Sequence, residues 1–184
     1  ATFRPKEREL SREEYYRLLH AAKKKNDLRL YLLMQTICAT GIRVSELKFI
    51  TTEAAQNGRA VVSLKDKTRT VLIPKALCKK LRQYAKSRGI QSGSIFVSKH
   101  GNPMDRSNIL HEMKALCKSA GVEPSKVFPH NLRHLFACLF YQAAKDISRL
   151  ADLLGHSNIN TTRIYTCVSG EEQIRQIERL GLVI

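Results

Sequence analysis

The first forty residues alternate between polar caps and apolar positions at helical spacing. Ser11 is followed three residues later by Glu14 in "LSREEYYRLLHAAKKK", and Leu18 begins the apolar positions of that stretch. This arrangement is typical of a capping box and predicts a helix that starts after Ser11. Asp27 precedes a second apolar stretch, "LRLYLLMQTICAT", and Gly41 follows it. We therefore expect a second helix capped by Asp27 and ended by Gly41.

The middle of the chain has a different pattern. The stretch "GRAVVSLKDKTRTVLIP" has β-branched residues on both sides of a strongly basic turn, and Pro74 ends it. It predicts a β-hairpin with strands from Arg59 to Leu64 and from Arg69 to Ile73. The preceding "IRVSELKFI" is typical of a short helix that runs into a strand.

Helical spacing returns after the hairpin. It predicts helices at about 75–88, 105–120, 146–154 and 158–165, and a longer helix that begins near Pro129. The apolar face of that longer helix consists of Leu132, Leu135, Phe136, Leu139 and Phe140. The expected fold class is mainly α with a small antiparallel β-sheet (α+β).

The distribution of charge points to a polyanionic partner. The 184 residues include 32 basic and 16 acidic side chains, which gives a net charge of +16. Residues 1–92 carry +13 of this charge and residues 93–184 carry +3. A positive field of this kind favours nucleic acid as the first candidate, ahead of an anionic lipid surface.

Cysteine spacing and hydropathy exclude several other classes of protein. The five cysteines form no C-x-x-C pair and several lie among apolar neighbours, which indicates reduced intracellular thiols packed as small hydrophobic residues. We expect neither a disulfide framework nor a zinc site from this spacing. No apolar run approaches the ~20 residues of a membrane span, and there is no signal-peptide pattern.

Three short stretches contain the candidate chemistry. Arg43 lies in "ATGIRVSELKF", His130 and Arg133 lie in "PHNLRHLFA", and His156 and Tyr165 lie in "GHSNINTTRIYT". Each residue also has an ordinary alternative role: a solvated arginine, a capping or turn histidine, or an amphipathic tyrosine. The case for a shared site comes from the set of residues and their order.

The second stretch favours anion binding over metal binding. His130 and Arg133 are three residues apart and share a helix face, near a helix start whose free N–H groups attract anions. His134 completes an H-x-x-x-H spacing with His130, but no glutamate follows His130 and no third ligand is evident.

Together these residues supply what a tyrosine needs to cleave a phosphodiester without a metal ion. A phenol with a pKa of ~10 needs a base to accept its proton. The transition state gathers negative charge on non-bridging oxygens, which forked guanidinium groups bind well. A further neutral donor can hold one oxygen, and a lysine on a basic hairpin can protonate the leaving 5′-oxygen. The residues that supply these groups are Arg43, Lys65, His130, Arg133, His156 and Tyr165.

The three stretches resemble the tyrosine recombinases, or phage-type integrases. "ATGIRVSEL" is similar to the family's "T-G-x-R-x-S-E-L", "HNLRH" to "H-x-L-R-H", and "LGHSNINTTRIYT" to "L-G-H-x-x-x-x-T-x-x-Y". The order of the motifs and the nine-residue interval from His156 to Tyr165 agree with the family, and the resemblance covers nearly the whole chain.

The resemblance implies a role for each residue. Tyr165 would attack the scissile phosphate and form a 3′-phosphotyrosyl link, while Arg43 and Arg133 would hold the non-bridging oxygens. His130 would accept the tyrosine proton and His156 would donate a hydrogen bond to the phosphate. Religation to another 5′-hydroxyl would then require no ATP and no cofactor.

Two supporting assignments are less direct. Glu46 is expected to orient Arg43 without contacting DNA. The family places its lysine in a hairpin turn, often in a glycine-containing "G-K-G-x-K-x-R", whereas this turn reads "SLKDKTRT" and has no glycine. Lys65, at the start of the turn, is the first choice for the general acid, and Lys67 is the alternative.

The resemblance also implies partners and a setting. We expect residues 1–184 to be the catalytic domain of a longer phage or conjugative-transposon integrase, a DNA-associated protein of the bacterial cytoplasm that acts on double-stranded recombination sites. A homotetramer in the synaptic complex and a directionality factor are expected partners. The tail at 170–184, with Ile174, Ile177 and Leu180 at helical spacing, would dock on a neighbouring protomer or fold back on its own core.

Two other functions remain open from the residues alone. A type IB topoisomerase uses the same chemistry to relax DNA without pairing sites. A non-catalytic DNA-binding protein could keep the scaffold and lack the reaction, although the complete set of six groups argues against it.

Overall fold

Helices and one two-stranded antiparallel sheet form the described part of the protein, and this confirms the predicted fold class. The computed structural model describes residues 8–156, 159–162, 174, 175 and 177–182. Its α-helices are α1 (Arg12–Lys24), α2 (Leu28–Thr40), α3 (Thr52–Asn57), α4 (Lys75–Ser87), α5 (Arg106–Lys114), α6 (Cys117–Ala120), α7 (Pro129–Ala144), α8 (Ile147–Leu154) and α9 (Ile159–Thr162). The strands are β1 (Arg59–Leu64) and β2 (Lys67–Leu72), and short 3₁₀ helices cover Val44–Phe49 and Pro124–Lys126.

The first helix begins where predicted, and the second begins and ends where predicted. The Ser11 hydroxyl accepts a hydrogen bond from the Glu14 N–H at 3.1 Å, and the Glu14 carboxylate accepts one from the Ser11 N–H at 2.9 Å. Asp27 caps α2 by accepting from the Leu30 N–H at 3.1 Å. Gly41 ends α2 with φ of +73°, a left-handed conformation that glycine adopts without a steric penalty.

The segment between α2 and the hairpin is more helical than predicted. The expected strand after "VSELKF" is reduced to one isolated bridge between Thr51 and Ser94. Directly after it, Thr51 caps α3 by accepting from the Ala54 N–H at 3.0 Å, and Gly58 ends that helix at φ +77°. A threonine cap and a following glycine were visible in the sequence, but the six-residue helix between them is too short to show a clear apolar period.

The hairpin is confirmed, with a tighter turn than predicted. Leu64 pairs with Lys67, so that the second strand starts at Lys67 instead of Arg69 and the turn contains only Lys65 and Asp66. Both turn residues have positive φ, at +50° and +63°. Positive φ at both turn residues matches the right-handed twist of a hairpin with a two-residue loop. Because the turn is this short, the strand pairing extends two residues further toward the basic end of the hairpin than predicted.

The helix predicted at 105–120 is in fact two helices. The chain tightens where the Leu116 N–H bonds to the Met113 carbonyl at 3.1 Å, three residues back instead of four. The change of direction lets Met113, Leu116, Cys117 and Ala120 all be buried. Packing therefore decided this boundary, since no glycine or proline marks it.

Helix α7 lies between the two apolar clusters that the described residues form. Its Leu132 and Leu135 join the main core, which is built around the buried residues of α2. Its Ala137 packs with Leu150 and Leu154 of α8, next to the partly buried Phe136, Phe140 and Tyr141. Residues between these two faces of α7 can therefore contact both parts of the fold.

Three of the four cysteines in the described residues, Cys38, Cys78 and Cys117, are buried, as expected for small hydrophobic side chains. The fifth, Cys167, lies outside the described residues. Among the described helices, none is long and apolar enough to cross a membrane.

Candidate active site

Arg133 connects the three segments that form the candidate site. Its side chain is only 4% exposed. One terminal nitrogen donates to the Gly41 carbonyl at 2.5 Å and the other donates to the Leu154 carbonyl at 2.6 Å. These carbonyls lie directly before the stretches that contain Arg43 and His156, so the guanidinium of α7 fixes both stretches in place.

Arg43 is positioned by Glu46, and Glu46 is held mainly by a second arginine. The Arg43 N–H donates to the Glu46 carboxylate at 2.8 Å, and its guanidinium lies 3.5 Å from the same group. Arg69 of β2 binds both carboxylate oxygens of Glu46 in a fork, with one contact at 2.8 Å. Glu46 is 1% exposed, so this ion pair is shielded from solvent. The expectation that Glu46 contacts Arg43 is confirmed, and the pair with Arg69 was not foreseen.

The charge state of Glu46 follows from these partners. Burial by itself raises the pKa of a carboxyl group, but the Arg69 hydrogen bonds, the Arg43 N–H and the two positive charges outweigh it. The pKa of Glu46 therefore lies below its ordinary value, and the residue is a carboxylate at neutral pH.

Two glycines leave the room that this arrangement needs. A Cβ atom at Gly155 would come within 2.7 Å of the Arg69 side chain, and a Cβ at Gly41 would come within 2.6 Å of the Phe136 ring. Both residues also have positive φ, +75° and +73°. Because Gly155 has no side chain, the Arg69 side chain can lie against the backbone directly before His156.

His156 is kept neutral by its surroundings. Burial lowers its pKa first, and the positive charges of Arg133, Arg43 and Arg69 lower it further, to about 4, together with an electrostatic interaction with His130. Its Nδ1 lies 2.6 Å from the hydroxyl of the buried Thr162. When that hydroxyl donates to Nδ1, the single ring proton is on Nε2, which can then donate to an anion.

A small cleft with a volume of about 130 Å³ opens beside these residues. Arg43 lines it from one side, and His130 and Arg133 line it from α7. His130 is exposed, one residue into the helix, whereas Arg133 is buried. Arg106, the first residue of α5, adds a third arginine to the cleft wall. Three arginines and one histidine are among the eight residues that line this cleft, which suits a site that holds a phosphate group.

The structure brings together four of the six predicted residues: Arg43, His130, Arg133 and His156. Lys65 lies in the hairpin turn and is not one of the residues that line the cleft. Lys67 lies in β2, two residues before Arg69, and strand alternation puts these two residues on the same face of the hairpin. Tyr165 lies outside the described residues.

Arg69 and Arg106 are the two site residues that sequence reasoning missed. Both were counted in the basic charge of the chain, but neither lies in one of the three motif stretches. For Arg69 a signal was present, because the turn "KDKTR" shares a K-x-R with the family's turn pattern. For Arg106 the sequence offered no signal, since only the approach of α5 to the cleft gives it a role.

The histidines of the H-x-x-x-H spacing have different surroundings. His130 lines the arginine-rich cleft, whereas His134 contacts Glu9 and Cys138. The two side chains therefore do not form the metal pair that this spacing would have allowed.

Comparison with known proteins gives consistent matches over most of the chain. Tyrosine recombinase XerA of Thermococcus kodakarensis is 34% identical over 183 residues, which cover 95% of this chain and 63% of that protein. The crystal structure of XerA recombinase superimposes with a TM-score of 0.75 at 31% identity, over 96% of this chain and 64% of that one. The chain thus spans less than two thirds of the length of these relatives.

A second solved structure extends the comparison. XerH site-specific recombinase, crystallised with its difH substrate in a pre-cleavage complex, has a TM-score of 0.77 and 26% identity. The match covers 92% of this chain and 53% of the XerH chain. Residues 8–172 match the Phage integrase family, and because this match includes every motif that places arginines and histidines around the cleft, the chain belongs to the phage integrase family of tyrosine recombinases.

Proposed function

We propose that this chain is the catalytic domain of a site-specific DNA recombinase, which integrates or excises DNA by breaking and rejoining strands through a phosphotyrosine at Tyr165. The observation that carries this proposal is that Arg43 and Arg133 line one cleft and lie close enough to His156 to lower its pKa and keep it neutral. The similarity to XerA and XerH recombinases supports double-stranded DNA as the substrate.

The arginines would stabilise the charge of the transition state. Arg43 is 39% exposed at its side chain and faces the cleft, so its guanidinium is available to a non-bridging oxygen. Arg133 already donates to two carbonyls, and its position is therefore fixed before a phosphate arrives. Preorganised cations of this kind lower the barrier because they need no rearrangement during the reaction.

The two histidines would divide proton transfer and hydrogen bonding between them. His130 is exposed at the cleft, where a phenol could reach it, and would accept the proton of Tyr165 as the phenol attacks phosphorus. His156 would remain neutral and donate from Nε2 to a phosphate oxygen. The 3′-phosphate would then be esterified to Tyr165, and the 5′-oxygen would leave with a proton from a lysine.

Lys65 is the proposed general acid, with Lys67 as a second candidate. Lys65 occupies the tip of the hairpin, from which a long side chain could enter the minor groove of DNA. Lys67 is favoured by a different observation, because it shares a strand face with Arg69, whose side chain reaches Glu46 beside the cleft. A substrate with a 5′-sulfur leaving group needs no acid. It should therefore restore cleavage to the alanine variant of the true acid and leave the other variant unchanged.

The tail would contact a second protomer in a tetrameric synaptic complex. Ile174, Ile177 and Leu180 are 56%, 65% and 64% exposed, which supports docking on a neighbour over folding back on the same core. An Ile177→Glu variant should lose any concentration-dependent self-association on DNA, measured by analytical ultracentrifugation. If this variant associates as the unmodified protein does, the tail has no such role.

The chemistry is tested by trapping the covalent intermediate. A duplex bound by the protein is first selected from a random pool, and a nicked suicide version of it is then incubated with the protein. We expect an SDS-resistant adduct, mapped by mass spectrometry to Tyr165, that is absent in Tyr165→Phe. Tyr16→Phe, at an exposed tyrosine of α1, is the matched control and should retain the adduct.

Three outcomes would overturn parts of the proposal. An adduct that persists in Tyr165→Phe would refute the nucleophile, and binding without any adduct would identify a non-catalytic DNA-binding protein. Formation of the adduct without joining two different duplexes would instead indicate a relaxation enzyme of the type IB topoisomerase class.

A further inference from the structure

A second group of reactive side chains lies apart from the residues that line the cleft. His134 Nε2 lies 3.3 Å from the Glu9 carboxylate and 3.5 Å from Cys138 Sγ, and the three ligand atoms all lie within 4.8 Å of one another. Carboxylate, imidazole and thiolate are the three side-chain types that bind Zn²⁺ in proteins. No ion is required for the proposed DNA chemistry, so this group has no assigned role there.

Two of the three separations match those of ligands around one tetrahedral zinc ion. With Zn–N and Zn–O distances of about 2.0–2.1 Å and Zn–S of about 2.3 Å, tetrahedral angles put N and O ~3.4 Å apart and N and S ~3.5 Å apart. The observed separations from His134 Nε2 are 3.3 Å to the oxygen and 3.5 Å to the sulfur. The third separation, from the Glu9 oxygen to Cys138 Sγ, lies within 4.8 Å and would be ~3.6 Å around a bound ion, so these two partly exposed side chains would close around the metal.

The elements that carry the ligands hold them in place. His134 and Cys138 are one helical turn apart on α7, where side chains four residues apart meet. Glu9 comes from the segment before α1, which is 125 residues away in sequence but is tied to the same helix. Asn131 donates from its side chain to the Arg8 carbonyl at 2.9 Å, and Leu10 is buried in the core.

A hydrogen-bonded trio and a shared metal ion would use the His134 Nε2 atom differently. Nε2 of a histidine that donates its proton to Glu9 cannot also accept a proton from the Cys138 thiol. Both groups nevertheless approach the same nitrogen. A shared cation would accept an electron pair from all three groups at once, and a carboxylate with a thiolate would balance the charge of a divalent ion.

We propose that Glu9, His134 and Cys138 bind one Zn²⁺ ion, with a water molecule as the fourth ligand. The metal would join the segment before α1 to α7, the helix that contributes His130 and Arg133 to the cleft. Binding would release the thiol proton of Cys138 to solvent, so affinity should rise with pH. Glu9 and Cys138 are both partly exposed, which leaves a route for the ion and for the water.

The test uses metal-stripped protein without DNA. Zn²⁺ is titrated against a chromogenic chelator, and Co²⁺ is used as a spectroscopic probe, since tetrahedral Co²⁺ with a thiolate gives visible d–d bands and a sulfur-to-metal charge-transfer band. Cys138→Ser and Glu9→Gln each remove one ligand. His111→Gln, at an exposed histidine of α5, is the control for adventitious binding at the surface. Circular dichroism checks that each variant is folded.

We expect one Zn²⁺ per chain, a rise in Tm on binding, and the charge-transfer band with Co²⁺. Loss of a group that merely orients a ligand already weakens metal binding by about 10–100-fold. Loss of a ligand should therefore weaken it at least tenfold in both variants, with no change in His111→Gln. Equal affinity in Cys138→Ser, or bound Co²⁺ without the charge-transfer band, would refute the site. If Cys138→Ser does not fold, the Co²⁺ spectrum of the unmodified protein and the Glu9→Gln affinity decide the question.

Because these measurements involve neither DNA nor Tyr165, their failure is distinguishable from failure of the proposed recombinase function. A protein that forms the covalent adduct without binding zinc would refute only the metal site. A protein that binds zinc through Cys138 without forming the adduct would refute only the proposed reaction.

Discussion

Removal of Arg69 should destabilise the protein and displace Arg43, although Arg69 lies in none of the three motif stretches. Arg69 binds both oxygens of Glu46, which is 1% exposed. In Arg69→Ala the carboxylate would remain buried and would lose its principal partner. We therefore expect both a loss of stability and a weaker hold on the backbone around Arg43.

The size of the effect follows from burial. Removal of one member of a buried ion pair costs about 3–5 kcal/mol, because the remaining charge is left without its counter-ion. Glu46 would keep the Arg43 N–H at 2.8 Å and the more distant Arg43 guanidinium, which reduces the loss. An expected loss of about 2–4 kcal/mol corresponds to a decrease in Tm of about 5–15 °C for a chain of this length.

Urea unfolding followed by circular dichroism measures this loss, and Arg59→Ala is the matched control. Arg59 is an exposed arginine of the neighbouring strand, so its removal changes the net charge equally without exposing a buried carboxylate. Surface substitutions of this kind usually change stability by less than about 0.5 kcal/mol. Glu46→Gln and the double variant complete a cycle that isolates the coupling between Arg69 and Glu46.

Two results would contradict this reasoning. If Arg69→Ala loses no more stability than Arg59→Ala, the buried pair does not stabilise the fold. If the double variant loses the sum of the two single losses, Arg69 and Glu46 act independently and the coupling is refuted.

Three further substitutions test other parts of the structure. Gly155→Ala should lower the free energy of unfolding by about 1–3 kcal/mol, because alanine is strained at φ +75° and its Cβ would clash with Arg69. Gly89→Ala, with a similar φ and open space around it, should lower it by less in the same urea titration. His156 has a folded pKa of about 4, below its ordinary 6.5, so the unfolded chain binds the proton first and stability should fall as pH decreases through this window. This protonation should lower the free energy of unfolding by ~1–2 kcal/mol after solvent screening. If His156→Asn shows the same dependence of stability on pH as the unmodified protein, His156 is not the cause. Ser11→Ala should lower the free energy of unfolding by about 1 kcal/mol, because it removes the α1 cap. Ser119→Ala, which is not at an N-cap, should leave thermal unfolding nearly unchanged.

The candidate site was predictable to the extent that its residues lie in short local motifs. Arg43, His130, Arg133 and His156 were selected from three stretches of the sequence, and the structure brings them together. Arg69, Arg106 and the group around His134 were missed, because their roles depend on contacts between distant segments. The assignments of Lys65 and Tyr165 remain predictions.

The sequence by itself determined the elements whose signals are local. A capping box at Ser11, a cap at Asp27 and glycines at positions of positive φ fix where helices start and end, because these hydrogen bonds and backbone angles involve residues only a few positions apart. The contacts between distant segments depended instead on packing and charge in the folded protein. The split between α5 and α6, the fork of Arg69 on Glu46 and the approach of Glu9 to α7 became evident only in the folded protein. These features are stabilised by burial of residues that lie far apart in the chain. A local sequence pattern does not show which distant segments will meet.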